Sequence, residues 1–350
     1  MTQAKAFESL SEWRDALAAL GAKPLHARML SRALMGRAAP LDPEDARFPK
    51  RLRTSWESLL ARWNAVLRLH SRHPGSDGES ERLLGLLADG EAIESVLLPR
   101  RGVCVSTQCG CAVGCRFCMT GRGGLRRQLS DVEIAAQAAL ARQLRPETKK
   151  VVFMGMGEPS HNWRAVESAL VFLAKYGEFS RRDLVVSTVG DPRLFARLSV
   201  MDLKPALALS LHTIDDAKRR FLLPNGCRMS ADEVLEAALS YAEASAYPLQ
   251  IEWTLLAGVN DGADEARALA EKLRGRYAMV NYIPVNAIPE AGYARPDRER
   301  ALELVKTLRS AGVVATLRDS AAQEVEGGCG QLRARVFRAA PPNHPPVSGR

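Results

Sequence analysis

The feature that most constrains this chain is a CxxxCxxC spacing formed by Cys111, Cys115 and Cys118. Thiolates are soft ligands that prefer zinc, copper(I) or iron–sulfur clusters, and several in one short loop can converge on one inorganic centre. A closed structural zinc site needs four ligands, and no fourth Cys or His follows nearby at zinc-ribbon spacing. The motif therefore favours a [4Fe–4S] cluster with one iron open to a substrate or cofactor. A structural metal site and ordinary buried cysteines are the alternatives.

The amino-acid composition limits the cellular compartment and the type of partner expected for such a cluster protein. The 350 residues contain no apolar run near the roughly 20 residues that span a bilayer, and the N-terminus has no signal-peptide core. Seven cysteines, an odd number, argue against a secreted disulfide framework. We therefore expect a cytoplasmic protein with no membrane segment. The net charge of +9 points to a polyanionic partner, with nucleic acid favoured, although solubility alone can produce such an excess.

Residues 1–70 have apolar side chains at helical spacing, such as Leu10, Trp13 and Leu17, and Pro and Gly residues divide them into short helices. This pattern predicts a small helical domain. Its basic side chains form either a solvated face or a surface that follows phosphates. The second interpretation makes residues 1–70 an accessory RNA-binding domain. The basic residues are Arg28, Arg32, Arg37, Arg47, Lys50, Arg51, Arg53, Arg62 and Arg68.

The next segment, residues 71–98, is predicted to contain a linker followed by a β-hairpin. Residues 71–80 include Pro74, Gly75 and Gly78, which favour a linker or an approach to the hairpin. Two apolar runs between residues 83 and 98 flank an Asp-Gly turn at residues 89–90. At the other end, the proline-rich residues 339–350 are predicted to be disordered.

Residues 99–338 alternate short β runs with helical stretches, which is typical of a parallel sheet with helices outside. Ser130 and Glu133 form a capping-box pattern for a helix that reaches about Leu144. We predict an α/β fold with a partial (β/α) barrel, in which the chemistry lies at the carboxyl ends of the strands. The predicted strands are residues 103–107, 151–154, 184–187, 206–210, 249–253, 278–283 and 313–317.

Polar and glycine residues follow several of these strands. Gly155–Pro159, with the sequence GMGEP, comes directly after the second one. Glycines allow close approach of the backbone to a ligand, and the Glu158 carboxylate can pair with a cationic amine. The alternative is a tight turn with a solvated Glu. Further strands end at Ser187-Thr188, Ser210-Leu211-His212 and Asn286.

The cysteine spacing, with the aromatic Phe117 before Cys118, resembles that of the radical S-adenosylmethionine (SAM) superfamily. The resemblance implies that Cys111, Cys115 and Cys118 bind the cluster. It also implies that the open iron chelates SAM, which is cleaved to a 5′-deoxyadenosyl radical.

Within that superfamily, the order of motifs over residues 83–337 resembles the RlmN/Cfr family of RNA methyltransferases, which modify adenosine. The motifs are Cys104, GMGEP, Ser187-Thr188, Ser210-Leu211-His212, Tyr282-Ile283-Pro284-Val285-Asn286 and Cys329-Gly330-Gln331-Leu332. The resemblance implies Glu94 as a general base. It implies SAM contacts from Gly157, Glu158, Ser187, Ser210, Leu211, His212 and Asn286. The implied partners are rRNA or tRNA and an electron donor such as flavodoxin or ferredoxin, and we expect a monomer.

The family mechanism gives two further cysteines a role. Cys329 takes a methyl group from one SAM, and a radical from a second SAM then activates that S-methylcysteine to add to the adenine ring. Cys104 next attacks the sulfur of Cys329, which releases methyladenosine and leaves a transient disulfide. We favour C2 of adenine over C8, the Cfr-like alternative.

The sequence differs from the family pattern at some positions, and two other functional classes are alternatives. The run before Cys329, residues 322–328, differs from the usual family sequence, and Cys109 and Cys227 receive no role. A radical SAM enzyme with a small-molecule or protein substrate would not need the Cys104 and Cys329 pair. A non-catalytic iron–sulfur or zinc RNA-binding module would leave GMGEP unexplained.

Overall fold

The computed structural model describes residues 4–226, 228–288 and 291–334, so Cys227 and the tail from residue 339 lie outside the described residues. The helices are α1 (Leu10–Ala19), α2 (Pro24–Leu34), α3 (Lys50–Asn64), α4 (Met119–Arg122), α5 (Asp131–Leu144), α6 (Trp163–Gly177), α7 (Pro192–Val200), α8 (Asp216–Leu222), α9 (Ala231–Ser245), α10 (Ala263–Leu273) and α11 (Arg298–Ser310). The strands are β1 (Leu67–Pro74), β2 (Glu81–Leu87), β3 (Ala92–Leu98), β4 (Gly102–Cys104), β5 (Gln108–Gly110), β6 (Leu125–Gln128), β7 (Lys150–Phe153), β8 (Leu184–Thr188), β9 (Ala206–Ser210), β10 (Leu249–Leu255), β11 (Ala278–Pro284) and β12 (Val314–Leu317).

Ten of these strands form one sheet in the order β1-β2-β3-β4-β7-β8-β9-β10-β11-β12. From β4 to β12 all neighbours are parallel, and the order in the sheet follows the order in the chain. A sheet without a reversal of strand order winds in one direction, as in a barrel, rather than doubling back. The predicted partial (β/α) barrel is confirmed, and β1–β3 extend it by three antiparallel strands.

The boundaries of the barrel elements follow from local chemistry. Ser130 caps α5 and forms the predicted capping box with Glu133. The first predicted strand, residues 103–107, is wrong in its second half, because β4 ends at Cys104. Beyond it the side chain of Gln137 accepts a hydrogen bond from the backbone N–H of Ser106 (2.8 Å) and donates one to its carbonyl (2.9 Å). These bonds replace those of a strand neighbour, and the chain turns toward the barrel mouth.

The N-terminal helices pack directly on the barrel. Trp13 lies at the centre of an aromatic cluster with Phe7, Trp56 and Trp63, and Trp63 stacks on Phe172 of α6 at 6.3 Å between ring centroids. Trp13, Trp56 and Trp63 are all buried, so their apolar faces supply much of this contact. Among the described helices, none has the combination of length and apolar character needed to cross a lipid bilayer.

The predicted linker at residues 71–80 is wrong over its first part, where β1 continues to Pro74. This strand is at one edge of the sheet, and its side chains alternate between half-buried and exposed positions. An edge strand with one solvated face needs few apolar residues. Exposed Arg72 on this face, followed by Pro74, Gly75 and Gly78, therefore gives the segment the composition of a loop.

Candidate active site

The main candidate site is a cavity with a free volume of about 150 Å³ that opens to solvent. The strand ends bring together residues far apart in sequence. The predicted site residues on its wall are Cys111, Cys115, Cys118, Gly157, Glu158, Ser187, Ser210, His212 and Cys329.

The cysteine loop between β5 and α4 is fixed by its neighbours. The backbone N–H of Arg116 donates to the carbonyl of Leu222 (3.0 Å), and that of Asn225 donates to Val113 (3.1 Å). Phe117 is buried beneath the loop. The end of α8 and the residues after it therefore support the cysteine loop.

The cysteine donors fit a cubane cluster better than a single ion. In the three described segments of the chain, no three His, Cys, Asp or Glu side chains are close enough to share one metal ion. A cubane does not need such proximity, because each thiolate binds a different iron atom. Burial raises the pKa of Cys111 to about 12. Coordination to iron would lower the pKa of this thiol, since a coordinating thiol is deprotonated.

The turn after β7 is locked in one conformation. Gly157 has a φ of +105°, and a Cβ at this position would lie 2.6 Å from Gln108 Cβ, so only glycine fits. The buried Glu158 carboxylate accepts hydrogen bonds from the hydroxyl of Thr188 (2.6 Å) and the N–H of Val189 (3.0 Å). Glu158 thus joins this turn to the end of β8 while it lines the cavity, where its charge can attract a cationic group.

The ends of β8 and β9 present hydroxyl groups and an imidazole. Ser187 Oγ and Ser210 Oγ are 3.4 Å apart. His212 is buried with φ at +62°, and its Nδ1 accepts a hydrogen bond from the N–H of Thr254 (3.0 Å). Burial, with a smaller effect of Arg219, lowers the pKa of His212 to about 3. The ring is therefore neutral with its proton on Nε2, where it can donate to a ligand.

Two predicted SAM-contact residues do not line this cavity. Leu211 is fully buried, and its N–H donates to the carbonyl of Glu252 (3.2 Å). Asn286 lines a neighbouring pocket, where its Nδ2 donates to the carbonyl of Cys329 and to Ser320 Oγ, both at 2.9 Å. Within the described residues, Asn286 Oδ1 is buried without a partner. That oxygen can accept a hydrogen bond from a ligand.

Cys329 opens onto the cavity from a loop that returns to the cysteine motif. The N–H of Met119 donates to the carbonyl of Gly330 (2.7 Å), and the hydroxyl of Thr120 donates to that of Leu332 (2.6 Å). These bonds connect α4, directly after Cys118, with the Cys329 loop. The sulfur of Cys329 thereby faces the same space as the three motif cysteines.

Cys104 lies at the end of β4, behind the cavity wall. It is buried in a small apolar cluster with Ala322 and Leu332, which flank Cys329 in sequence. Burial, followed by the charge of Cys329, raises the pKa of Cys104 well above its usual range. Residues on both sides of Cys329 in the chain therefore pack in the same cluster as Cys104.

Glu94 is placed differently from a free general base. Its side chain is only 1% exposed and does not line the cavity. One carboxylate oxygen pairs with Arg82, and the other accepts the N–H groups of Arg333 (2.7 Å) and Ala334 (2.9 Å). The general-base role implied for Glu94 therefore stays a prediction.

Glu252 also lines the cavity, although no sequence motif indicated a role for it. Its carboxylate accepts a hydrogen bond from Asn281 Nδ2 (2.8 Å), and burial raises its pKa. Burial raises the pKa of Cys329, and the negative charge of Glu252 raises it further. A hydrogen bond with Ser320 has the opposite effect. A signal was available, because Glu252 is the single charged residue of a strand that is otherwise mostly buried.

Comparison with known proteins places this geometry in a family. The model of the radical SAM superfamily matches residues 105–272. Proteins called "Probable RNA methyltransferase" are 51% identical in Leptothrix cholodnii and 52% identical in Thiobacillus denitrificans. The first alignment covers 92% of this chain and 93% of the relative, and the second covers 95% and 92%.

A solved structure agrees over nearly the whole chain. The radical SAM methyltransferase from Sphaerobacter thermophilus has a TM-score of 0.84 and 34% sequence identity, and the match covers 95% of this chain and 100% of that one. The cofactors of the superfamily are a [4Fe–4S] cluster and SAM, and the cysteine loop and cavity fit them. The chain is therefore an enzyme that belongs to the radical SAM superfamily and, within it, to the RlmN/Cfr-like RNA methyltransferases.

Proposed function

We propose that this enzyme methylates C2 of an adenine in rRNA or tRNA and that Cys329 carries the methyl group. The observation that supports the proposal most is the position of Cys329, which faces the cavity that the three motif cysteines line. The names of the curated relatives support RNA as the substrate. A radical enzyme with a small substrate would have no need for the buried second thiol of Cys104.

The cofactors supply the chemistry that amino acids lack: a methyl donor and a 5′-deoxyadenosyl radical. The protein side chains bind and orient these cofactors. Cys111, Cys115 and Cys118 hold the cluster, while Glu158, Ser187, Ser210 and His212 offer a carboxylate, two hydroxyl groups and an N–H donor to SAM. Apolar walls formed by residues such as Phe117 and Val189 keep water away from the reacting groups.

The two remaining cysteines divide the methyl transfer between them. Cys329 is open to the cavity and can take a methyl group, whereas Cys104 is buried behind it. An adenine carbon joined to Cys329 through a methylene group must be released. Cys104, once its thiol has lost its proton, attacks the Cys329 sulfur, so an S–S bond forms while the carbon–sulfur bond breaks. The electron pair of the broken bond passes to the methylene carbon, which takes up a proton and becomes the methyl group of the product. Regeneration of both thiols then needs an external reductant.

Nucleoside analysis of a deletion strain tests this proposal. Digested rRNA and tRNA from the strain should lack 2-methyladenosine at the site that this enzyme modifies, and the wild-type gene should restore it. Mass spectrometry of the nucleosides makes the measurement. Loss of 8-methyladenosine would assign the enzyme to the C8 reaction instead. If neither nucleoside changes in a strain without paralogues, the RNA substrate is wrong.

On the basic N-terminal surface, several cations have partners within the protein. Arg32 pairs with Glu178, and Arg62 pairs with Glu12. Arg37, Arg47 and Arg53 also make hydrogen bonds. Among the described residues, the predicted cations that are exposed and have no partner are Arg28, Lys50, Arg51 and Arg68.

Reversing Lys50 and Arg51 to Glu should weaken RNA binding, since both lie exposed in the first turn of α3. For each phosphate that the variant no longer neutralises, the slope of log affinity against log salt should become shallower by about 0.7–0.9. Filter binding or fluorescence anisotropy over a salt series measures that slope. The matched control reverses Arg274 and Lys306, which are exposed beyond α10 and on α11. Equal affinities and slopes in the two variants would assign the N-terminal charge to solubility.

A further inference from the structure

One buried ion pair holds both ends of the loop that carries Cys329. Arg82 of β2 and Glu94 of β3 form this pair, with side chains 13% and 1% exposed. Arg82 Nε donates to the carbonyl of Val325 (2.6 Å), which precedes Cys329 in the chain. Both strands belong to the antiparallel extension of the barrel, so the loop is fastened to a part of the sheet outside the cavity wall.

Glu94 fastens the segment that follows Cys329. One of its oxygens accepts the N–H groups of both Arg333 and Ala334, while the other pairs with Arg82. The pair thus reaches the chain on both sides of Cys329. A carboxylate with three charge-assisted donors is strongly held in one position. To act as a base in the cavity, Glu94 would have to release these donors.

The loop itself fits closely around this pair. Gly327 passes so near Arg82 that an added Cβ would lie 3.2 Å from Arg82 Cβ. Glu326 and Arg333 form a second ion pair across the base of the loop. Glu326 belongs to the run in which this chain departs from the usual family sequence. This pair therefore closes the loop with a charge from within that run.

We propose that the Arg82–Glu94 ion pair is a clasp that fixes the Cys329 loop over the cavity, so that Glu94 is a positioning residue. The clasp acts before any chemistry, because it sets where the Cys329 sulfur lies when SAM binds. The inference rests on the proposed function only in taking Cys329 as the methyl carrier. It differs from a general-base role, which is needed only after the adenine has been attached.

Hydrogen exchange tests the clasp without any reaction. The amides of Arg333 and Ala334 donate to Glu94, so Glu94→Ala should speed their exchange by about tenfold or more. The matched variant Glu94→Gln keeps an amide oxygen as acceptor for these two N–H groups and leaves the bond from Arg82 to the carbonyl of Val325 in place. Its exchange at the two positions should stay within a few-fold of the wild type. Mass spectrometry of peptides covering residues 323–334 reports both results.

Methylation of Cys329 by SAM, measured without RNA, separates positioning from base catalysis. The holoenzyme is mixed with SAM, and the methylated Cys329 peptide is followed over time. Glu94→Ala should slow this methylation by about tenfold or more, and Glu94→Gln should keep most of it. A general base predicts normal methylation in both variants, because no ring proton is removed at this stage.

Three outcomes overturn the clasp: unchanged exchange in Glu94→Ala, faster exchange with normal Cys329 methylation, or equal loss of methylation in both variants. If Glu94→Ala does not fold, Arg82→Met/Glu94→Met replaces it, since apolar residues often substitute well for a buried ion pair. Iron content and thermal unfolding establish that each variant is folded. Should wild-type Cys329 not be methylated at all, the proposed function fails, while hydrogen exchange still tests the clasp.

Discussion

Replacing Cys118 by alanine should abolish cluster binding. The motif offers three thiolates to the cluster, and two cannot hold a cubane as three can. Cys109 cannot replace the lost thiol, because it is buried in the main apolar core and does not line the cavity. The variant should therefore lose nearly all its iron and sulfide after anaerobic reconstitution, together with its brown visible absorption.

Cys109→Ala is the matched control for that experiment. Cys109 precedes the motif by two residues, and its thiol has the same ligand chemistry. It is 1% exposed and packs in the main apolar core, away from the cavity. The Cys109→Ala protein should keep its full cluster. Full iron and sulfide in Cys118→Ala would remove Cys118 from the ligand set. One equivalent of zinc without iron in the wild type would contradict the cofactor assignment itself.

The sequence predicted the positions of site residues well where they follow strands. Residues at the carboxyl ends of neighbouring parallel strands must meet at one mouth, so Ser187, Ser210 and Gly157 could be brought together without knowing any side-chain contact. The same logic put Asn286 at the mouth, but it could not distinguish the cavity from the pocket beside it. That distinction depends on side-chain direction, which strand order does not fix.

The positions that the sequence did not predict depend on partners far away in the chain. Glu94 and Arg82 are twelve residues apart on adjacent strands, but their shared contacts lie about 240 residues further along. Periodicity describes how a segment packs on its own element and says nothing of such pairings. The basic N-terminal surface shows the same limit, because Arg32 finds Glu178 only once α2 has docked on α6.

Cys104→Ala should stop the reaction after one round, at the covalent adduct between the enzyme and RNA. The variant keeps Cys329 and every cavity residue, so it should still methylate Cys329 and join the methylene group to adenine. It should then stall, because nothing remains to attack the Cys329 sulfur. A covalent protein–RNA species should accumulate to at most one per enzyme, while multiple turnover disappears.

The position of Cys104 makes this substitution a clean test. The side chain is 8% exposed in a small apolar cluster, where alanine removes only one sulfur atom. Gel electrophoresis under denaturing conditions, with and without nuclease, detects the adduct. Cys329→Ala is the companion variant, and it should show neither methylation nor adduct since the carrier itself is missing. Normal turnover of Cys104→Ala without an adduct would refute the two-cysteine mechanism, even with the cluster and SAM assignments intact.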